Sequence, residues 1–406
     1  MRITDIVSGT IDWNSVPYVE ADKDTALKYR LDAGDIVIAR TGASTGASAY
    51  IESPPKVAFA SYLVRLKIKP EFDSRFVAYY LKSEQFWTYI RGVLGDKSAQ
   101  PNASASTMVK APFSAPRERY VQHEIAAILG SLDDRIGMLR HANASLEGIA
   151  RAIFKSWFVD FDPVRAKAEG REPEGMDADT AALFPGEFDD TEHGPVPKGW
   201  TITPLDACLD FKEGPGIRNW QYTNAEDGVR FINIRCIKSG DLDIESASRV
   251  SNLEGNGKYA HFHLAAWDLV VSTSGTLGRC AIVRPEHLPL LLNTSVIRFR
   301  PIHPLTFSYL HGYLHGKAFL DELNAQATGS VQRNFGPMHL KRMKMLRPDD
   351  SILTAHERIV RPLFEKILLN RSLIDNLATL RDTLLPRLIS GKLRVPEAEK
   401  LMEAVL

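Results

Sequence analysis

The chain has 406 residues, 44% of them apolar and 25% charged, the proportions of an ordinary soluble protein with room for two or three domains. No apolar run approaches the roughly 20 residues needed to cross a bilayer; "MRITDIVSGTIDWN" lacks the parts of a signal peptide, and three cysteines without C-x-x-C spacing suit a reducing cytoplasm. The formal net charge is zero, but residues 162–197 hold ten acids against three bases, so the remainder carries a surplus of seven positive charges, compatible with a phosphate-backbone partner.

Short β-branched runs open the chain. "DIVIA" and "YLVRLKI" are bounded by turn residues and predict strands, and "RFVAYYLKSEQFWTYIRG" (75–92) predicts a short helix, giving a compact α+β domain. A long helix follows. Its apolar stripe runs through Ile125, Leu129, Leu132, Ile136, Leu139, Leu146, Ala150, Ile153 and Trp157, with Asn143 as its clearly polar member; the alternating steps of four and three make an a/d seam. The acidic segment is rich in Pro, Gly and Ala and reads mostly as a connector. After it "DLVVS" and "TSVIRF" predict strands again, "LTFSYLHGYLHGKAFLDEL" (305–323) another short helix, and a second seam follows. That seam runs through Val360, Leu363, Ile367, Asn370, Ile374, Leu377, Leu384 and Leu388, with Arg381 within it; Pro386 is expected to bend or finish the helix.

The second half repeats the first in order. "RITDIVSGTID" (2–12) is echoed by "NIRCIKSGDLD" (233–243), "LDAGDIVIARTGASTG" (31–46) by "LAAWDLVVSTSGTLG" (264–278), and "SAQPN" (98–102) by "SVQRN" (330–334). The offset drifts only from 231 to 234, so each copy is a domain with a linked helix rather than a solenoid repeat. The second copy has an extra opening, residues 197–231, without a counterpart in the first. Two matched seams favour pairing with each other. In a level antiparallel pair, residues whose numbers sum to 513 face each other: Ile136 meets Leu377, Leu139 meets Ile374 and Asn143 meets Asn370, a polar pair that fixes register. Two related domains on a stiff helical strut suit a target with two unequal half-sites, such as DNA.

"RTGASTG" invites reading as a phosphate cradle, but it lacks the Gly-Lys-Ser/Thr ending of a Walker A loop and the G-x-G-x-x-G spacing of a dinucleotide fold, and its echo is one residue shorter. A glycine turn presenting small polar groups fits better. It would reach DNA phosphates through Arg40, Thr41, Ser44 and Thr45 in one copy and Ser274, Thr276 and Arg279 in the other. Residue types that read base edges cluster in three loops: Lys97, Gln100 and Asn102; Arg218, Asn219 and Gln221; Gln332, Arg333 and Asn334. Lys341 and Arg342 suit phosphates. The histidines of "HFH" (261–263), and His311 with His315, have metal-compatible spacing, but no carboxylate or cysteine motif backs them. No nuclease, methyltransferase or hydrolase motif is complete, so no catalytic residue, cofactor, metal or small-molecule substrate is expected.

The ordered set resembles the specificity (S) subunits of type I restriction–modification systems. Its carriers are the two glycine turns, the paired helix starts "PRERYVQHEIAAILGSLDDRI" and "AHERIVRPLFEKI", the helix ends "SLEGIARAIFKSWF" and "TLRDTLLPRLISGKL", and "PKGW" (197–200). The resemblance implies two target-recognition domains, residues 1–116 and 197–349, each reading half of a split DNA site. It implies two antiparallel conserved helices, 117–160 and 350–392, that set the gap and dock two modification (M) subunits, which methylate adenine; restriction (R) subunits join them. Residues 161–196 would be an acidic linker and 393–406 a tail. The fold class expected is α+β: two related domains joined by two long antiparallel coiled-coil helices. Without its opening segment the first domain departs from the pattern. The alternative is a coiled-coil scaffold whose two domains bind protein rather than DNA.

Overall fold

The computed structural model describes residues 1–6, 11–94, 101–192, 194–326 and 335–403. The chain divides into two compact units, Met1–His141 with Arg371–Leu406, and Ala142–Asn370. Cys208, Cys236 and Cys280 are all buried.

In the first unit, α1 (Lys23–Lys28) is capped by Asp22, whose carboxylate accepts from Thr25 N at 2.8 Å. Strands β1 (Ile36–Ala39), β2 (Ser48–Tyr50) and β3 (Leu63–Leu66) form an antiparallel sheet of order β2-β1-β3. Every residue of β1 is buried, which is why it reads as a continuous apolar run. Two helices, α2 (Ser74–Tyr80) and α3 (Glu84–Leu94), stand where a single one was expected. Buried Ser83 makes the break, its hydroxyl accepting from Phe86 N at the restart. After α4 (Ala105–Met108) comes α5 (Arg119–Phe158), 40 residues and so about 60 Å long. Ile125, Leu129, Leu132 and Ile136 of α5 share one core with Phe76, Phe86, Leu377, Leu384 and Leu388.

In the second unit the acidic segment, expected to be mostly connector, is folded. It forms α6 (Asp162–Ala168), α7 (Ala178–Ala182) and a hairpin of β4 (Phe188–Thr191) with β5 (Gly194–Pro197). Val164, Phe184 and Val196 are buried, the Phe184 ring 5.1 Å from that of Trp157. Anchors this far apart in sequence leave no periodicity to read. Beyond them lie β6 (Thr201–Pro204), α8 (Leu205–Cys208), β7 (Leu209–Glu213), β8 (Tyr222–Thr223), β9 (Val229–Ile232), β10 (Ile237–Lys238), β11 (Asp241–Leu242), β12 (Ser248–Val250) and α9 (Asn252–Asn256). Then follow β13 (Leu269–Ser272), β14 (Cys280–Ile282), β15 (Leu290–Leu292), β16 (Val296–Pro301), α10 (Phe307–His315), α11 (Lys317–Gln326), α12 (Pro337–Leu340) and β17 (Lys344–Arg347). The main sheets have the orders β14-β13-β16-β7 and β15-β9-β12-β8, and β17 pairs with β6. Here too the expected single helix is two, because Gly316 leaves the helical conformation between α10 and α11.

The repeat holds at the level of register. Val37 of β1 pairs with Arg65 of β3, and Val270 of β13 pairs with Arg298 of β16. The first unit lacks a counterpart of β7 among the described residues. In consequence Arg298 meets Asp210 of β7 at its edge, whereas Arg65 donates to the Arg30 carbonyl at 2.6 Å.

The second long helix, α13 (Asp350–Ile389), has 40 residues, passes Pro362 without a break and ends three residues after Pro386; α14 (Val395–Glu403) follows. Each unit holds one stretch of α5 beside one stretch of α13. In the second unit, Asn370 Nδ2 donates to Asn143 Oδ1 at 2.7 Å, and Asn143 Nδ2 to the Ile367 carbonyl at 3.3 Å. Eleven residues along α5 the Phe154 ring meets that of His356, so the stretches run antiparallel. Both asparagines are buried, Leu146 and Leu363 pack partly buried at the same core, and Ile367 lies inside it. In the first unit, Arg381 Nη1 donates to Asp133 Oδ1 at 2.6 Å, and Leu139 and Ile374 pack beside Ile136 and Leu377. Burial alone would raise the Asp133 carboxyl, but Lys82, Arg381 and the Tyr79 hydroxyl outweigh it and hold it below the usual carboxylate range.

Candidate nucleic-acid interface

The glycine turn in the first unit is a latch. Gly42 and Gly46 have φ of +79° and +99°, in the left-handed region that favours glycine, and a Cβ on Gly46 would lie 3.2 Å from Ile90 and Trp87. Between them the Thr45 hydroxyl donates to the carbonyls of Gly42 at 2.7 Å and Pro101 at 3.2 Å. Gly42 N donates to Pro101 O, and Ala103 N to Arg40 O, each at 2.9 Å. The turn therefore grips the chain at Pro101 and Ala103. Arg40, Thr41, Ser44 and exposed Asn102 are gathered at this point, with Thr41 and Asn102 bridged. Thr45 is 3% exposed and its hydroxyl is spent on backbone, so it is withdrawn as a DNA contact.

The second unit has the same latch. Phe335 N donates to Thr273 O at 3.0 Å, as Ala103 N does to Arg40 O, and Thr273 N donates to Ser295 O at 2.9 Å, as Arg40 N does to Tyr62 O at 3.0 Å. The Ser272 hydroxyl holds the turn by donating to Thr276 O and accepting from Arg279 N. Thr276 and Arg279 are exposed and bonded to each other at 3.2 Å. Ser274 is buried and is likewise withdrawn. Thr294 N donates to Pro215 O, and Ile217 N to Asn293 Oδ1 at 3.2 Å. These bonds bring the start of the 216–224 segment onto the same rim as the turn and Phe335. Burial raises the Glu213 carboxyl on this rim, against a hydrogen bond from Ser295 N.

Within the 216–224 loop the side chains divide. Gln221 is 7% exposed; its amide donates to Glu254 Oε1 and Tyr259 OH, and its oxygen accepts from Arg218 N. It is a structural anchor, not a base reader. Arg218 and Asn219 stand exposed just before that anchor, and so does Trp220, at 80%. The sequence reading weighed only polar types and passed over Trp220. An indole between two polar side chains in a polar loop was the available signal, since aromatic rings stack on bases or wedge between them. Lys341 and Arg342 are exposed just after α12, beyond buried Leu340 and before buried Met343. Lys97, Gln100, Gln332, Arg333 and Asn334 lie outside the described residues.

Among the described residues no group of three or more His, Cys, Asp or Glu could hold a metal ion. The His311 and His315 rings stack 4.1 Å apart, and His311 packs on Phe364.

Comparison with known proteins converges on one family. Residues 4–148 match the family model described as type I restriction modification DNA specificity domain. The HindI specificity subunit of Haemophilus influenzae is 24% identical, over 90% of this chain and 88% of that protein. The MjaIX specificity subunit of Methanocaldococcus jannaschii is 25% identical, over 80% of this chain and 70% of its own length. In fold the chain is similar to the crystal structure of a type I restriction–modification S subunit from M. genitalium. That likeness has a TM-score of 0.50 and 15% identity, over 89% of this chain and 84% of that one.

Proposed function

We propose that the chain is a specificity subunit of a type I restriction–modification system and that its two repeated domains each read one half of a split, asymmetric DNA sequence. It is the DNA-specificity component of such a system and not itself the catalyst. Residues 1–116 and 197–349 serve as target-recognition domains, 117–160 and 350–392 as the conserved helices on which partners dock, 161–196 as the link and 393–406 as the tail. Its partners are double-stranded DNA, two modification (M) subunits that methylate adenine, and restriction (R) subunits; its compartment is the cytoplasm. No described helix is long and apolar enough to cross a membrane.

One observation carries the reading. The same backbone latch occurs twice, at Ala103 and at Phe335, each time beside a glycine turn whose polar side chains are half-buried in the first copy (Arg40, Thr41, Ser44) and exposed in the second (Thr276, Arg279). A duplicated mount for variable polar loops supports two related readers. Phosphate contacts from Arg279, Lys341 and Arg342 would position the second reader, and Arg218, Asn219 and Trp220 would address its bases. The test is titration of the chain, with its M partner, against duplex DNA at rising salt. Log affinity should fall linearly with log salt, with a slope of roughly −0.9 per phosphate neutralised. Absent or salt-insensitive binding would make the chain a scaffold instead.

A further inference from the structure

The rim of the second unit that presents Arg218, Asn219, Thr276 and Arg279 also holds a carboxylate. Glu213 ends β7, the edge strand of its sheet, opposite Ile297 of β16. Phe211 and Leu209, two and four residues before it on the same face of the strand, pack at the core, and Glu213, half-buried, follows them at the rim. The chain passes closely over its neighbour there, because a Cβ on Gly214 would collide with the Asn293 backbone. Ser295 N donates to the Glu213 carboxylate. Its Oε2 lies 3.9 Å from where a Cβ would stand on Gly336, next to the Phe335 latch.

The donor is held under strain. Ser295 has φ of +71°, in the left-handed region that a serine seldom enters, whereas Tyr62, in the same place of the first latch, does not. Bonds pin the elbow from several sides: Asn293 Oδ1 accepts from Thr294 N at 2.8 Å as well as from Ile217 N, and Ser295 O accepts from Thr273 N. Strain of this kind persists where the surroundings over-determine it, and it collects at binding sites. The carboxylate so held is short of donors. It can accept about four hydrogen bonds, yet burial strips water from it, and among the described residues Ser295 N offsets that loss with no cation beside it. Asp210 on the same strand and Glu254 beside the 216–224 segment are instead spent on internal partners, Arg298 and Gln221.

DNA offers such a group one kind of partner. Phosphates repel a carboxylate, while the exocyclic amines of cytosine and adenine donate hydrogen bonds in the major groove. Resting on the reading of this domain as the reader of the second half-site, we propose that Glu213 is a specificity-determining residue that accepts a hydrogen bond from the exocyclic amine of one base there, cytosine N4 or adenine N6. Its charge acts in two directions. The right base satisfies it; on any other sequence it stays unpaired beside phosphates, so wrong sites are penalised as well as the right one favoured.

The full chain with its M partner is titrated, at low and high salt, against duplexes carrying the split motif that methylation mapping defines, with each base pair of both half-sites replaced in turn, and against a duplex without the motif. Glu213→Gln keeps the shape and the bond from Ser295, Glu213→Ala removes the acceptor, and melting checks both. At one base pair of the second half-site, discrimination should fall about tenfold in Glu213→Ala and less in Glu213→Gln, with every first-half-site position unmoved. Both variants should bind the motif-free duplex more tightly than the parent chain, most at low salt, where charge repulsion is least screened. A residue that merely supports the fold would weaken binding to every duplex. Taking the amine from the base, with purine for adenine or pyrimidinone for cytosine, should cost the parent chain a like factor and Glu213→Ala nothing, which also tells the two bases apart. Losses spread equally over both half-sites and motif-free DNA would overturn the proposal. A parent chain that prefers no sequence would sink the reading of the domain, and the proposal with it; variants that discriminate as well as a discriminating parent chain would sink the proposal alone.

Discussion

His356 is wholly buried among the rings of Phe154, Trp157 and Phe158, and among the described residues neither of its ring nitrogens has a hydrogen-bond partner. Burial pushes its pKa down to about 3, because a charged imidazolium has nothing there to replace water. The unfolded chain, with a histidine near 6.5, binds the proton more readily than the folded one, so stability falls as pH drops below 6.5 and continues to fall toward pH 3. Between pH 7 and pH 5 the loss should be about 2 kcal/mol. Thermal melts across that range should show it, and His356→Leu should flatten the dependence. An unchanged pH profile in the variant would show that the imidazole is solvated. Its counterpart in the paired helix starts, His123, is exposed and lies 3.2 Å from Asp73, so the pairing located the position but not its environment. Thr45 and Gln221 teach the same lesson from the other side. Both are types that contact DNA, and both are consumed by internal bonds. Residue type states what a side chain can do, and only the fold states whether it is free to do it.

Among the elements, the long helices were the most legible, because an apolar period of 3.5 sustained over 30 residues is a pattern that strands and loops do not produce. The facing asparagines follow from that seam. Asn143→Ala should cost about 1–3 kcal/mol, since Asn370 keeps a buried amide with one partner fewer. Replacing both by leucine should recover that loss or more, at the expense of a fixed register. Chemical denaturation measures the first effect, and disulfide trapping between the helices measures the second. If N143A is no less stable than the parent chain, the pair contributes nothing. Strands β1, β3, β13 and β16 were legible from apolar runs between turns. The breaks inside the short helices were not, because one buried serine and one glycine decide them. The acidic segment misled because its few buried anchors are spaced too widely to form a pattern.

For the whole molecule, the ordered repeat was the decisive signal, and it survives in matched strand register and matched latches rather than in sequence identity. The base-reading residues were least legible, as specificity rests on loop side chains and on DNA deformability. Replacement of Arg279 or Lys341 by alanine should weaken DNA binding across all sequences and lower the salt slope by about 1. Trp220→Ala should act on the second half-site alone, costing about 1–3 kcal/mol if a base stacks on it. Equal losses on specific and nonspecific DNA would remove Trp220 from the reading surface. The central claim, that this chain supplies the sequence specificity of a methylating complex through two unlike half-sites, is tested most directly by mapping methylated adenines in the host genome with and without its gene. A single split, asymmetric motif should lose its methylation in the deletion strain and regain it on complementation; identical maps, or loss of a continuous motif, would contradict it.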